Sequence, residues 1–280
     1  MIKNKIYLCW MFIVLLFGVR LAEAKPNEFG KYSKSKYSNQ VVIVNWYDDI
    51  GLKRLQNSQY RQDFNQLAHF FAPQIFPSFC GIASATMVLN ALRVPTGTAP
   101  ANPELAFQLP KVWGGEKKDF HFYTQETFFT ERTEQIKSRK VIALQNITPQ
   151  NENDASAFQP GVTLAELQKL LVAHDATVTM QYATQPEKDG SKLFRENLRR
   201  VLQEPNAFVI ANFHGKALGM NSGGHISPIG AYDAKTDSIL LLDVASTKRP
   251  WVWINVRDFY LAMHTKDGDK YRGYLIISDT

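Results

Sequence analysis

The stretch Cys80-Gly-Ile-Ala-Ser-Ala-Thr-Met-Val-Leu-Asn-Ala-Leu92 reads as a buried helix with a thiol at its start. Ile82, Ala85, Val88, Leu89 and Leu92 recur at helical spacing, and Pro95 and Gly97 end the run. Upstream, Val41-Val-Ile-Val44 is a strand-like patch in an otherwise polar region. Downstream, the region from Gly97 to Gly161 is rich in turn formers and aromatics, and short helices over the Cys80 helix are expected there. Thr163-Leu-Ala-Glu166 is a capping-box pattern that opens a second helix, striped by Leu164, Leu167, Leu170 and Leu171. Ser191 to Gln203 is a third, amphipathic helix. After Pro205 the text changes to short apolar runs divided by turns: Ala207–Phe213, Ile226–Tyr232, Ser238–Val244 and Gly273–Ile277. Helices come first and strands follow, which predicts an α+β fold, a helical half packed against a mainly antiparallel sheet. No repeat or linker interrupts residues 25–280, so they are read as a single domain.

Residues 1–24 read as a signal peptide. Lys3 and Lys5 precede the uncharged run Ile6 to Val19, and Ala22-Glu-Ala24 has the small residues of a cleavage site. That run is short of the roughly 20 residues that span a bilayer. Cleavage after Ala24 is expected, with no stable membrane association afterwards and an exported, periplasmic or secreted, location. Of the chain's two cysteines, Cys9 lies in this segment, so the mature protein would keep Cys80 alone. A lone thiol in an exported protein forms no internal disulfide and needs another explanation. The net charge of +6 is spread without a Lys/Arg block, which argues against nucleic-acid binding. Asn146-Ile-Thr148 is a glycosylation sequon. A homodimer is left open.

Thiol catalysis needs a thiolate, a base, a group to orient that base and donors for an oxyanion. Cys80 stands where free helix N–H groups and the dipole favour negative charge, and Gly81 leaves room beside the sulfur. Gln74, six residues earlier, is spaced to reach back as an oxyanion donor with the Cys80 N–H. His225, after Gly223 and Gly224 at the start of a strand, is the candidate base. Asp243 ends the apolar run Ile239-Leu-Leu-Leu-Asp243 and needs a buried partner. A hairpin between the two strands would bring Asp243 to His225. Singly, each of these has an ordinary reading as a buried thiol, core histidine, edge aspartate or idle glutamine. The other five histidines (His69, His121, His174, His214, His264) are read that way. Gln74, Cys80, His225 and Asp243 together are the candidate catalytic set.

The Gln-x5-Cys-Gly start followed by His and Asp is similar to the papain-type cysteine peptidase arrangement. More narrowly, Phe76-Pro-Ser-Phe-Cys-Gly-Ile-Ala-Ser84, Gly223-Gly-His-Ile-Ser-Pro-Ile229, Asp243-Val-Ala, Lys248-Arg-Pro-Trp-Val252 and Arg272-Gly-Tyr resemble phytochelatin synthases, in order, most closely their short prokaryotic branch. The resemblance implies a papain-like fold and glutathione as substrate. The Cys80 thiolate would attack the carbonyl of the Cys–Gly bond, and His225 would protonate the departing glycine. Water would release γ-glutamylcysteine from the thioester, or a second glutathione would take the acyl group and form a phytochelatin. The resemblance also implies that Arg272 binds the γ-glutamyl carboxylate and that Asp267 receives its α-amino group. Plant and fungal members carry a further cysteine-rich region that is not in this sequence, so hydrolysis is expected to weigh heavily. No cofactor is required, and no Cys-x-x-Cys or histidine spacing suggests a protein metal site. Cd²⁺ or Zn²⁺ would enter as glutathione thiolates or as activators. The rival readings are a generic papain-like peptidase and a non-catalytic metal-thiolate binding protein.

Overall fold

Strands in the second half of the chain are apolar on both faces, and the layering of the fold follows from that. The computed structural model describes residues 41–145 and 160–279. In chain order the first elements are β1 (Ile43–Asn45), α1 (Asp49–Asn57), α2 (Gln62–His69), α3 (Cys80–Arg93), β2 (Ala101–Gln108) and β3 (Lys117–His121). Then come α4 (Glu131–Glu134), α5 (Arg139–Ile142), α6 (Leu164–Ala173), β4 (Thr177–Tyr182), α7 (Glu187–Val201), β5 (Ala207–His214) and β6 (Gly224–Asp233). The chain ends with β7 (Ser238–Leu241), β8 (Val252–Asn255), α8 (Val256–Met263), β9 (Lys266–Asp267), β10 (Lys270–Tyr271) and β11 (Gly273–Ser278).

Seven strands form one sheet in the order β1-β8-β7-β6-β5-β11-β4, every neighbouring pair antiparallel. Phe208, Ile210, Leu240, Leu275 and Ile277 pack on one face with α3 and α6. The alternate residues Val209, Ala211, Phe213, Ile239, Leu241 and Tyr274 pack on the other, against Phe194 and Leu198 of α7 and Phe259 of α8. A strand buried on both sides reads as a continuous apolar run, as these do. A register shift in β6, opposite β7, carries Ile229 and Ala231 to opposite faces although they are two apart.

The α+β expectation and the antiparallel sheet are as read, and the first-half helices do pack on the sheet. The helices are not confined to one side, because α7 and α8 cover the second face. Helix α3 is buried all round, with only Arg93 outside the core. The region after Gly97 holds the short helices α4 and α5. It also holds a hairpin, β2 with β3, that the sequence reading did not anticipate. The expected signal peptide, residues 1–24, and the Asn146 sequon lie outside the described residues. Among the described residues no helix is long and apolar enough to cross a membrane.

Candidate active site

Helix α3 begins at Cys80, and its start has no side-chain cap. The first-turn N–H groups therefore remain available to an anion. Ser84 Oγ, one turn on, lies 2.7 Å from Cys80 O and 3.2 Å from Ile226 O, which pins the N-terminal end of α3 to β6. A Cβ on Gly81 would sit 2.4 Å from Val162 Cγ2. The room that Gly81 leaves is thus taken by the loop before α6.

His225 is the second residue of β6, opposite Phe213 of β5, whose ring meets the imidazole edge-on at 5.6 Å between centroids. Asp243 lies two residues past β7. Leu242 N still donates to Pro228 O, 2.9 Å away, so the chain runs on beside β6 after regular pairing ends. His225 Nε2 and Asp243 Oδ1 are 2.7 Å apart. The Asp243 carboxylate is fully buried and has two further donors, Ala245 N to Oδ1 at 2.8 Å and Arg249 Nε to Oδ2 at 2.6 Å. Burial alone would push this carboxyl up, but the His225 hydrogen bond and charge, with Arg249 behind them, hold it at about 2. Asp243 is therefore the acceptor and His225 Nε2–H the donor, which leaves Nδ1 for the thiol.

Burial disfavours the imidazolium of His225, yet Asp243 and Cys80 together raise it to about 9. Burial likewise raises the Cys80 thiol. The hydrogen bond and charge of His225, followed by the N–H groups of Ile226 and Gly81, outweigh that and bring it below its ordinary value. A depressed thiol in contact with an elevated imidazole favours the thiolate–imidazolium form of the pair. Cys80 is also the free cysteine of the described residues.

Arg272 reaches the same place from the turn between β10 and β11. Its Nη1 donates to Asn212 Oδ1 at 2.7 Å and lies 3.2 Å from Asp267 Oδ2, while Asn212 Nδ2 donates to Asp267 Oδ2 at 2.9 Å. A Cβ on Gly224 would fall 2.7 Å from the guanidinium, so the glycine next to His225 makes the seat for Arg272. Burial lowers the Arg272 pKa, with Asp267 and Cys80 acting in the opposite sense. Its Nε is buried without a partner, a donor that awaits an acceptor.

Asn212 and Arg249 were not singled out from the sequence. Asn212 is hidden in a strand run, Ala207 to His214, that otherwise signals only burial. Arg249 could have been found by asking what cation balances a buried aspartate six residues earlier. His214, set aside with the other histidines, borders the same cluster: burial lowers its pKa, and Arg272 and Lys216 lower it further.

Gln74 is placed differently from expectation. Its Nε2 donates to Phe76 O at 2.8 Å and to Pro77 O at 2.9 Å, so both amide hydrogens are engaged and none is free for an oxyanion. Its backbone N donates to Val244 O at 2.9 Å, which ties this loop to the residue after Asp243. Away from these groups, between α2 and the end of α3, an apolar cleft of about 450 Å³ is lined by Asn65, Gln66, His69, Phe70, Val94 and Pro95. Among the described residues, no cluster of His, Cys, Asp and Glu could hold a metal.

The structure thus brings a helix-borne thiol, a strand-borne imidazole and a buried carboxylate together beside a two-signed polar cluster on an α+β scaffold. The family model described as Phytochelatin synthase matches residues 42–274, and the chain belongs to that family. Glutathione gamma-glutamylcysteinyltransferase 1 of Lotus japonicus is 29% identical over 229 residues, 81% of this chain and 38% of that protein. Glutathione gamma-glutamylcysteinyltransferase of Schizosaccharomyces pombe is 28% identical over 232 residues, 82% of this chain and 46% of that protein. Glutathione gamma-glutamylcysteinyltransferase 2 of Arabidopsis thaliana is 27% identical over 219 residues, 78% of this chain and 40% of that protein. The chain thus spans less than half the length of these relatives.

Proposed function

We propose that this protein transfers the γ-glutamylcysteinyl group of glutathione through a thioester on Cys80, on a papain-like scaffold. The observation that carries the reading is the Arg272–Asp267–Asn212 cluster next to the thiolate–imidazolium pair. A γ-linked glutamyl group presents an α-carboxylate and an α-ammonium on one carbon, and a guanidinium beside a carboxylate matches both charges. An ordinary α-linked peptide offers no such pair, which sets the generic peptidase second.

The Cys80 sulfur attacks the carbonyl carbon of the Cys–Gly amide. The oxyanion is met by the Cys80 N–H at the uncapped start of α3, while Gln74 holds the Phe76–Pro77 backbone in place. His225 then gives its Nδ1 proton to the glycine nitrogen as the C–N bond breaks. Water attacks the thioester with His225 as base and yields γ-glutamylcysteine, or the amino group of a second glutathione attacks and yields a phytochelatin. Cd²⁺ and Zn²⁺ enter as thiolates of the substrate. We read residues 1–24 as an export signal, which places the reaction in the periplasm or outside the cell.

The test is intact-protein mass spectrometry after brief mixing with glutathione, with free glycine followed in parallel. The expected result is one γ-glutamylcysteinyl adduct on Cys80 with glycine release, both lost in Cys80→Ala. The same spectrum reports cleavage after Ala24. No adduct and no glycine under reducing conditions overturns the glutathione reading.

A further inference from the structure

Asp243 is held by two cationic partners. One oxygen faces His225, and the other faces Arg249 Nε at 2.6 Å. The Arg249 side chain is 9% exposed and the Asp243 side chain 0%, so the pair is withdrawn from water and its coupling is not screened as a surface pair is. Arg249 sits on the segment between β7 and β8, where its backbone N donates to Ala245 O at 3.1 Å. It is close to the carboxylate yet lies behind it relative to the imidazole, because the two cations use different oxygens.

We propose that Arg249 is a positioning residue, holding the Asp243 carboxylate against His225 and thereby sustaining the thiolate form of Cys80. The inference rests on the Cys80–His225–Asp243 reading of the site. A carboxylate with one partner can rotate or take up a proton. With Nε on Oδ2 and the Ala245 N–H on Oδ1, this one is fixed so that Oδ1 points at Nε2 of the imidazole. The charged groups facing the chain of contacts are few: His225 and Arg249 on Asp243, Asp243 and Cys80 on His225. Arg272 lies beyond Cys80. Loss of Arg249 makes Asp243 easier to protonate. A protonated Asp243 no longer stabilises the imidazolium, and the thiolate loses its partner at a higher pH than in the parent protein.

The experiment is the rate of Cys80 alkylation by iodoacetamide against pH, read on the Cys80 peptide. It needs no glutathione, so it stands apart from the fate of the substrate assignment. Arg249→Gln moves the acid limb towards neutrality by about one pH unit, and Arg249→Lys returns it to the parent position. A purely structural Arg249 lowers Tm and leaves the limb where it was, which overturns the proposal. If Arg249→Gln does not fold, Asp243→Asn is compared with Asp243→Asn/Arg249→Gln, which strands no charge. Equal alkylation rates in those two variants support action through Asp243, and a tenfold difference refutes it.

Discussion

At the level of single residues, the site is a chain of burial penalties overcome by partners. Cys80, His225 and Asp243 are each pushed by burial toward their neutral forms, and each is pulled back by the next in line. The consequence for pH is directional. In the proposed reaction His225 is protonated to deliver glycine, and its proton is lost as pH rises through about 9. Single-turnover glycine release is therefore expected to fall on the alkaline side near that pH, while alkylation of the thiolate persists. A parallel loss of alkylation over the same range would contradict this assignment. Asp243→Asn leaves the imidazole with an amide in place of a carboxylate, and glycine release should drop about 10³-fold or more. The methyl of Gly224→Ala meets the Arg272 guanidinium first and displaces it. It should raise KM for glutathione several-fold with little change in alkylation rate, and an unchanged KM would remove Arg272 from substrate binding.

At the level of elements, the legible parts were those with a local signal. The capping box at Thr163 and Glu166 forms as written, with Thr163 N donating to Glu166 Oε2 at 2.8 Å. The helix at Cys80 and strands β5, β6 and β11 carry long apolar runs that admit few other readings. Strand β8 and helix α8 were missed because Val252-Trp-Ile-Asn-Val-Arg-Asp-Phe-Tyr260 switches from strand to helix with no glycine or proline. The switch is made by Asn255, whose Oδ1 accepts from Arg257 N at 3.0 Å as an N-cap. Of the candidate site, the grouping of thiol, imidazole and carboxylate was legible from their joint order, and Asp243 stood out as a charge inside an apolar run. The direction of the Gln74 amide was not, since its partners are backbone carbonyls. Helix α2 carries a second buried acid, Asp63, fully shielded and with no hydrogen-bond donor on either oxygen. Burial raises its pKa from 3.8 to about 9. The folded state thus holds a proton that the unfolded chain releases, and stability is lost as pH rises from about 4 to about 9. Asp63→Asn should raise Tm by several degrees at pH 8, with the gain shrinking toward pH 4. An equal gain at both pH values would mean that Asp63 is not protonated in the fold.

For the molecule as a whole, the sheet is the organising layer, with the Cys80 helix on one face and α7 and α8 on the other. The hairpin of β2 and β3 stands apart from this scheme. Its strands make their substantial contacts with each other and not with the sheet. Leu105, Phe107, Val112, Trp113 and Phe120 are exposed along it, with Phe107 stacked on Phe120 at 5.7 Å. Its sequence hid it for two reasons. Pro103 within β2 argues against a strand, and the register shifts between Asn102 and Phe107, so no period-2 pattern survives. A two-stranded ribbon is marginal on its own and contributes little to a core it does not enter. Gln108 and Lys117 face each other across the ribbon, so the segment from Leu109 to Glu116 can be replaced by an Asn-Gly turn that suits a two-residue hairpin. The shortened protein should keep its Tm within about 2 °C and its rate of Cys80 alkylation within a factor of about two, because neither depends on the arm. A fall in either beyond those bounds would show that the arm is coupled to the sheet and the site. Unchanged values would place all of the chemistry on the sheet and its flanking helices.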